Sequence, residues 1–121
     1  MSSSLPKQGY TYYRVGALDD FMERIGRRVL LEQSDVAVFK TSEGEIFALE
    51  NKSPGPRGGT LVEGIVSGTT LYDPICDWRI QLTDGQVMEP DTGQVRTYPV
   101  QIEGGEVRIG IPSGEGGADH G

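Results

Sequence analysis

The stretch "ENKSPGPRGGTLVEGIVSGTTLYDPICDW", residues 50–78, decides how this chain is read. Two turn-rich segments, Asn51 to Leu61 and Asp73 to Trp78, flank the short runs "GIVSG" and "TTLYD". Proline presets φ and glycine opens positive φ, so Pro54, Pro56, Pro74 and the Gly58-Gly59 pair give both segments defined loop shapes. For metal binding the stretch offers little, with a single cysteine and no histidine.

On both sides of these loops the sequence reads as β-structure. "YTYYRV" from Tyr10 is aromatic and β-branched, "RRVLLEQ" and "DVAVFKT" follow from Arg27, and "SEGE" turns the latter into "IFALEN". In "WRIQLT", Trp78, Ile80 and Leu82 alternate with Arg79, Gln81 and Thr83, a half-buried strand. Asp84-Gly85 signals a two-residue hairpin into "QVMEP". Tyr98, Val100 and Ile102 alternate, Gly104-Gly105 turns, and Val107, Ile109 and Ile111 alternate back. One segment breaks the period. In "ALDDFMERIG", Leu18, Phe21, Met22 and Ile25 fall at i, i+3, i+4 and i+7, which predicts a short helix with that stripe in the core and Gly26 as its stop. Many short strands with regular turns and one short helix imply an all-β antiparallel sandwich or small barrel. Residues 1–9 read as a flexible N-terminus, 10–111 as the domain and 112–121 as a disordered acidic tail.

Bulk properties narrow the function. With 18 acidic and 11 basic residues among 121, the formal charge is −7, so nucleic acid is not an expected partner. Arg24, Arg27 and Arg28 form a local basic cluster that solvation accounts for. No apolar run approaches the roughly 20 residues a membrane helix needs, and the N-terminus lacks an export-type apolar segment. One cysteine fits a reducing compartment, and a cytoplasmic protein without a membrane partner is expected.

Catalytic motifs are sparse. Asp91-Thr92-Gly93 spells the aspartic-protease tripeptide, but Glu89 and Pro90 precede it where an apolar strand is needed, so a plain turn is expected. Asn51-Lys52-Ser53 matches a glycosylation acceptor in a chain with no export signal. "GPRGGT" lacks the Gly-Lys-Ser/Thr ending and the strand–loop–helix setting of a phosphate loop. The one histidine, His120, lies in the tail, where nothing can hold it beside a nucleophile. Asp73 and Asp77 flank Cys76 and should raise its pKa, which disfavours a reactive thiolate.

The opening stretch resembles the Rieske iron–sulfur domain, and more narrowly the small subunit of assimilatory NAD(P)H-dependent nitrite reductase. Cluster-bearing members read Asn-x-Cys-Pro-His-x-x-Gly-Gly-x-Leu in one loop and Cys-Pro-x-His-x-Trp in the other. Here Asn51, Pro54, Gly58, Gly59, Leu61, Pro74 and Trp78 keep the frame. "VEGIVSG" resembles the connecting hairpin of that family, and "WRIQLTDGQVMEPDTGQVRTYPV" its small-subunit branch. Ser53 and Asp73 stand at the cysteine positions, and Gly55 and Cys76 at the histidine positions.

The resemblance therefore implies a Rieske-like fold whose 2Fe-2S ligands are lost, with no metal, cofactor or catalytic residue in this chain. It implies docking on a large subunit that carries FAD, siroheme and a 4Fe-4S cluster and reduces nitrite to ammonium. Arg57 and Trp78, at the loop tips, are the expected contacts. The alternatives are a Rieske-type ferredoxin that carries electrons, and a ligand-free interaction module of another redox complex.

Overall fold

A computed structural model describes residues 9–112. Their strands, in chain order, are β1 (Tyr10–Ala17), β2 (Arg27–Leu31), β3 (Ser34–Lys40), β4 (Ile46–Glu50), β5 (Ile65–Ser67), β6 (Thr70–Tyr72), β7 (Arg79–Gln81), β8 (Thr97–Tyr98), β9 (Val100–Glu103) and β10 (Glu106–Pro112). They pair into three antiparallel sheets, ordered β1-β10-β9, β2-β3-β4-β8 and β5-β6-β7.

The β2-β3-β4-β8 sheet is the middle layer, and alternation along β3 shows why. Val36 and Val38 point into one apolar cluster with Val107, Ile109 and Ile111 of β10, while Ala37 and Phe39 point into another with Val66, Leu71 and Ile80 of the small sheet. A strand covered on both faces must be apolar at successive positions, which is why "VAVF" has no polar partner face. In β4, Ile46 and Ala48 join the first cluster and Leu49 the second. Tyr98 packs with the first cluster from β8, which Pro99 separates from β9, so the alternation of Tyr98, Val100 and Ile102 runs across two sheets.

Two sequence expectations need correction. Between β1 and β2 there is no α-helix, only a three-residue 3₁₀ turn at Leu18–Asp20. The Asp20 carboxylate accepts the Ala17 N–H at 2.9 Å, and Glu23 then bridges to Lys40 in an extended path. Of the expected stripe only Phe21 is in the core; Leu18 is half-buried, and Met22 and Ile25 are 65% and 54% exposed. A helix of this length is marginal by itself, and tertiary contacts override its pattern. Gly26 sits so close to the β4–β5 connection that a Cβ there would lie 2.2 Å from the Val62 carbonyl oxygen and 2.6 Å from the Phe39 ring. The second correction concerns the hairpin at Asp84-Gly85. Gln81 and Gln86 close it, with the Gln81 N–H donating to the Gln86 carbonyl at 2.9 Å, so the turn spans residues 82–85.

Candidate functional site

Both loops spring from the small sheet's end of the molecule. Loop one, residues 51–64, connects β4 to β5; loop two, residues 73–78, connects β6 to β7. Buried Asn51 closes loop one: its Oδ1 accepts the N–H groups of Leu61 and Val62 at 2.8 and 2.9 Å, and its Nδ2 donates to Asp35 at 3.2 Å. Further out, the Ser53 N–H donates to the Gly59 carbonyl at 2.9 Å and the Gly58 N–H to that of Gly55 at 3.2 Å. Gly58 and Gly59 have φ of +70° and +101°, a left-handed path that favours glycine at both positions.

Loop two is organised by Asp73, which is wholly buried. Its Oδ1 accepts the Ile75 N–H at 2.8 Å and, more weakly, the Cys76 N–H at 3.4 Å. This is the turn in which an Asx side chain stands in for a backbone acceptor. Its backbone N–H donates to the Trp78 carbonyl and its carbonyl accepts from Asp77, both at 2.9 Å. The remaining carboxylate oxygen, Oδ2, accepts a short hydrogen bond from the buried Ser53 hydroxyl, and Ser53 Oγ in turn accepts the Gly55 N–H at 3.1 Å. The Ser53–Asp73 hydrogen bond therefore ties one loop to the other.

The two remaining positions meet beside that bond. A Cβ on Gly55 would lie 2.8 Å from Cys76 Sγ and 3.5 Å from Ser53 Oγ, so only glycine leaves the thiol its place. Burial pushes the Cys76 thiol pKa up, and the Asp73 carboxyl adds to the rise while a hydrogen bond with the Trp78 backbone opposes it. The expected direction holds, but burial is the largest cause and, of the two flanking carboxylates, only Asp73 contributes. Ser53, Gly55, Asp73 and Cys76 thus form one packed cluster.

Arg57 is exposed on loop one, and Ile75 stands over Gly59, 44% exposed. Trp78 is half-buried and packs against the cluster of Leu71, Ile80 and Leu82. The other singled-out residues lie elsewhere. Asp91-Thr92-Gly93 is a turn, with the Asp91 N–H donating to Met88 and the Gly93 carbonyl accepting from Val87. The three arginines have intramolecular roles: Arg24 Nε donates to the Val66 carbonyl, Arg27 lies 4.9 Å over the Phe21 ring, and Arg28 makes two hydrogen bonds to Asp35. His120 lies outside the described residues. An aromatic cleft of about 800 Å³, lined by Tyr10, Tyr12, Phe47, Leu82 and Tyr98 among others, was not legible in the sequence because distant strands build it.

A three-sheet antiparallel domain with two facing loops held over its smallest sheet is the architecture of a Rieske-type domain. Residues 11–110 match the model of the Rieske-like [2Fe-2S] domain, and the chain belongs to that family. It is 28% identical over 97 residues to a nitrite reductase [NAD(P)H] large subunit from Klebsiella oxytoca, covering 77% of this chain but only 10% of that relative. It is 26% identical over 97 residues to the nitrite reductase (NADH) small subunit of Escherichia coli K12, covering 76% and 90% of the two chains. A naphthalene 1,2-dioxygenase ferredoxin component from Pseudomonas putida is 29% identical over 96 residues, 78% of this chain and 90% of that one. Among solved structures, a putative NADH-dependent nitrite reductase small subunit from Mycobacterium tuberculosis superposes with a TM-score of 0.77 at 24% identity, over 84% of this chain and 96% of that one, which establishes the shared fold.

The family's cluster is held by two thiolates on one iron and two imidazoles on the other. The residues here do not fit it: a hydroxyl, a glycine, a carboxylate and one thiol supply a single sulfur and no nitrogen. Among the described residues, no three His, Cys, Asp or Glu side chains converge to hold a metal ion, and no buried side-chain N or O atom lacks a hydrogen-bond partner. Hydroxyl and carboxylate are already committed to each other.

Proposed function

We propose that this chain is an iron-free small subunit of an assimilatory nitrite reductase, which reduces nitrite to ammonium with electrons from NAD(P)H. It acts in the cytoplasm by docking on, and stabilising, a large subunit that carries FAD, siroheme and a 4Fe-4S cluster, and it contributes no catalytic residue. The observation that carries this reading is a pair of relatives: a similar domain occurs as a separate small subunit in one and within a large-subunit polypeptide in another. A domain that works both ways works against the rest of that enzyme. The Ser53–Asp73 hydrogen bond supports the iron-free part, because it links the two loops where family members use a cluster. Exposed Arg57 and half-buried Trp78 are the first candidates for contact.

The second reading, a ferredoxin-type electron carrier, is favoured by the similarity to the dioxygenase ferredoxin component. It requires bound iron. Co-expression with a large nitrite reductase chain separates the two: stable co-purification of a colourless small chain supports docking, and a visible Rieske spectrum from this chain alone supports electron transfer. Arg57→Glu and Trp78→Ala should each weaken the co-purification; unchanged recovery with both would remove the loop tips from the contact.

A further inference from the structure

The aromatic cleft of about 800 Å³ lies where the three sheets meet. β1 supplies Tyr10 and Tyr12, β4 supplies Phe47, β8 supplies Thr97, and Leu82 and Thr83 follow just after β7. Alternation along β1 puts Tyr10 and Tyr12 on one side of the strand, while Tyr13 turns to the core cluster of Val107 and Ile109. The Tyr10 and Tyr12 ring centroids are 6.4 Å apart, with their planes at 48°. Neither residue belongs to a core cluster, so core packing does not account for two neighbouring rings on this strand.

Gly110 shapes the cleft from behind. It is the cross-strand partner of Tyr12, and its N–H donates to the Pro99 carbonyl at 2.9 Å. A Cβ there would lie 2.9 Å from the Tyr12 ring and 2.9 Å from Pro99 Cγ, so only glycine lets both rings rest over β10.

The chemistry of the lining defines what fits. Charged side chains make up 24% of the chain, yet none of the eleven lining residues is charged. The cleft therefore offers no counter-ion, and stripping water from an unpaired charge is costly. Its polar side-chain groups are all hydroxyls, from three tyrosines and two threonines, and these both donate and accept hydrogen bonds. The rings of Tyr10, Tyr12 and Phe47 favour a flat partner that stacks on them or meets them edge to face. The volume falls within the range of about 300–1,000 Å³ usual for small-molecule sites.

We propose that this cleft is a binding site for an uncharged, planar aromatic small molecule that carries a hydrogen-bonding group. Tyr10, Tyr12 and Phe47 contact its ring, and the Thr83 and Thr97 hydroxyls meet its polar group. The site is independent of the docking reading, because none of its lining residues belongs to either loop.

The test titrates the full-length, isotope-labelled chain with 4-hydroxyphenylacetamide and follows the backbone amide resonances by NMR. Two probes with the same ring, 4-hydroxyphenylacetate and tyramine, carry a negative and a positive charge and are run beside it. For a ligand of about eleven heavy atoms the expected Kd of the amide is about 4 mM or tighter. The two charged probes should bind at least fivefold more weakly. Saturable shifts should centre on Tyr12, Phe47 and Thr97. Thr83→Arg, which brings a charge into the cleft, should weaken the amide at least tenfold, and Tyr10→Ala at least threefold. Both positions are exposed, and thermal melts check that each variant folds. Tyr72→Ala removes an exposed ring on the small sheet, outside the cleft, and should change the Kd less than twofold. No saturable shift up to fivefold above the expected Kd, or shifts centred away from the cleft, overturns the site. Equal binding of the charged probes overturns the uncharged class. An affinity that neither Thr83→Arg nor Tyr10→Ala alters puts the probe elsewhere and overturns the site as well.

Discussion

Replacing Asp73 with alanine should be among the most damaging changes available in the loops. Its buried carboxylate accepts the Ser53 hydroxyl and the Ile75 N–H, with the Cys76 N–H as a longer third contact at 3.4 Å. Leaving a buried donor without its acceptor costs about 1–3 kcal/mol. Two well-made bonds are lost and the third is weak, so the expected destabilisation is about 2–5 kcal/mol. Asp73→Asn keeps the shape: its amide oxygen can accept the backbone N–H groups while its NH₂ donates to Ser53, so it should cost about 1 kcal/mol. Urea unfolding followed by the fluorescence of Trp78, the one tryptophan, reports directly on loop two. With a slope of about 1–3 kcal/mol per molar urea, Asp73→Ala should lower the midpoint by about 0.7–5 M, and Asp73→Asn by about 0.3–1 M. If Asp73→Ala unfolds within about 0.5 kcal/mol of wild type, a level typical of neutral surface changes, the claim that this carboxylate ties the loops together is wrong.

Three further outcomes follow from the same geometry. Gly55→Ala puts a Cβ 2.8 Å from Cys76 Sγ and should cost about 1–3 kcal/mol, a cost that Cys76→Ala in the same chain should largely relieve; additive effects in a double-mutant cycle would show that the two do not meet. Because burial and Asp73 raise the Cys76 pKa, its thiolate fraction at neutral pH is below that of an ordinary cysteine, so iodoacetamide should alkylate it more slowly than a free thiol and accelerate only at alkaline pH. A fast reaction at pH 7 would contradict that placement. Phe21→Ala should destabilise by about 3–5 kcal/mol, whereas Met22→Ala should stay within about 0.5, since one is buried and the other is not; equal losses in thermal melts would restore the helical stripe.

The strands were legible because side-chain alternation directly encodes which face of a sheet is buried. "WRIQLT" shows it: Ile80 and Leu82 are buried, and Arg79 and Thr83 are exposed. The cluster of Ser53, Gly55, Asp73 and Cys76 was legible through the family frame of the loops, whose prolines and glycines locate each position. The role of Asp73 as an acceptor was encoded too, in an Asp-Pro-Ile-Cys turn whose side chain can serve the N–H groups that follow, but its bond to Ser53 joins residues 20 apart and has no local signature. The segment 17–26 failed for the opposite reason. Its apolar spacing fits a helix, but Phe21, Arg24 and Gly26 answer to partners on other elements, and those contacts decide the backbone. The exposure of Met22 and Ile25 was hidden by the same misreading, since a helix would have assigned both to the core.

Iron analysis bears most directly on the central claim, that the scaffold holds its loops with a Ser53–Asp73 hydrogen bond and serves by docking. The chain is expressed under iron-replete, anaerobic conditions and assayed for iron and acid-labile sulfide without exposure to air. The expected finding is only trace iron in a folded, colourless protein that co-purifies with its large partner; two irons and two sulfides per chain would contradict it.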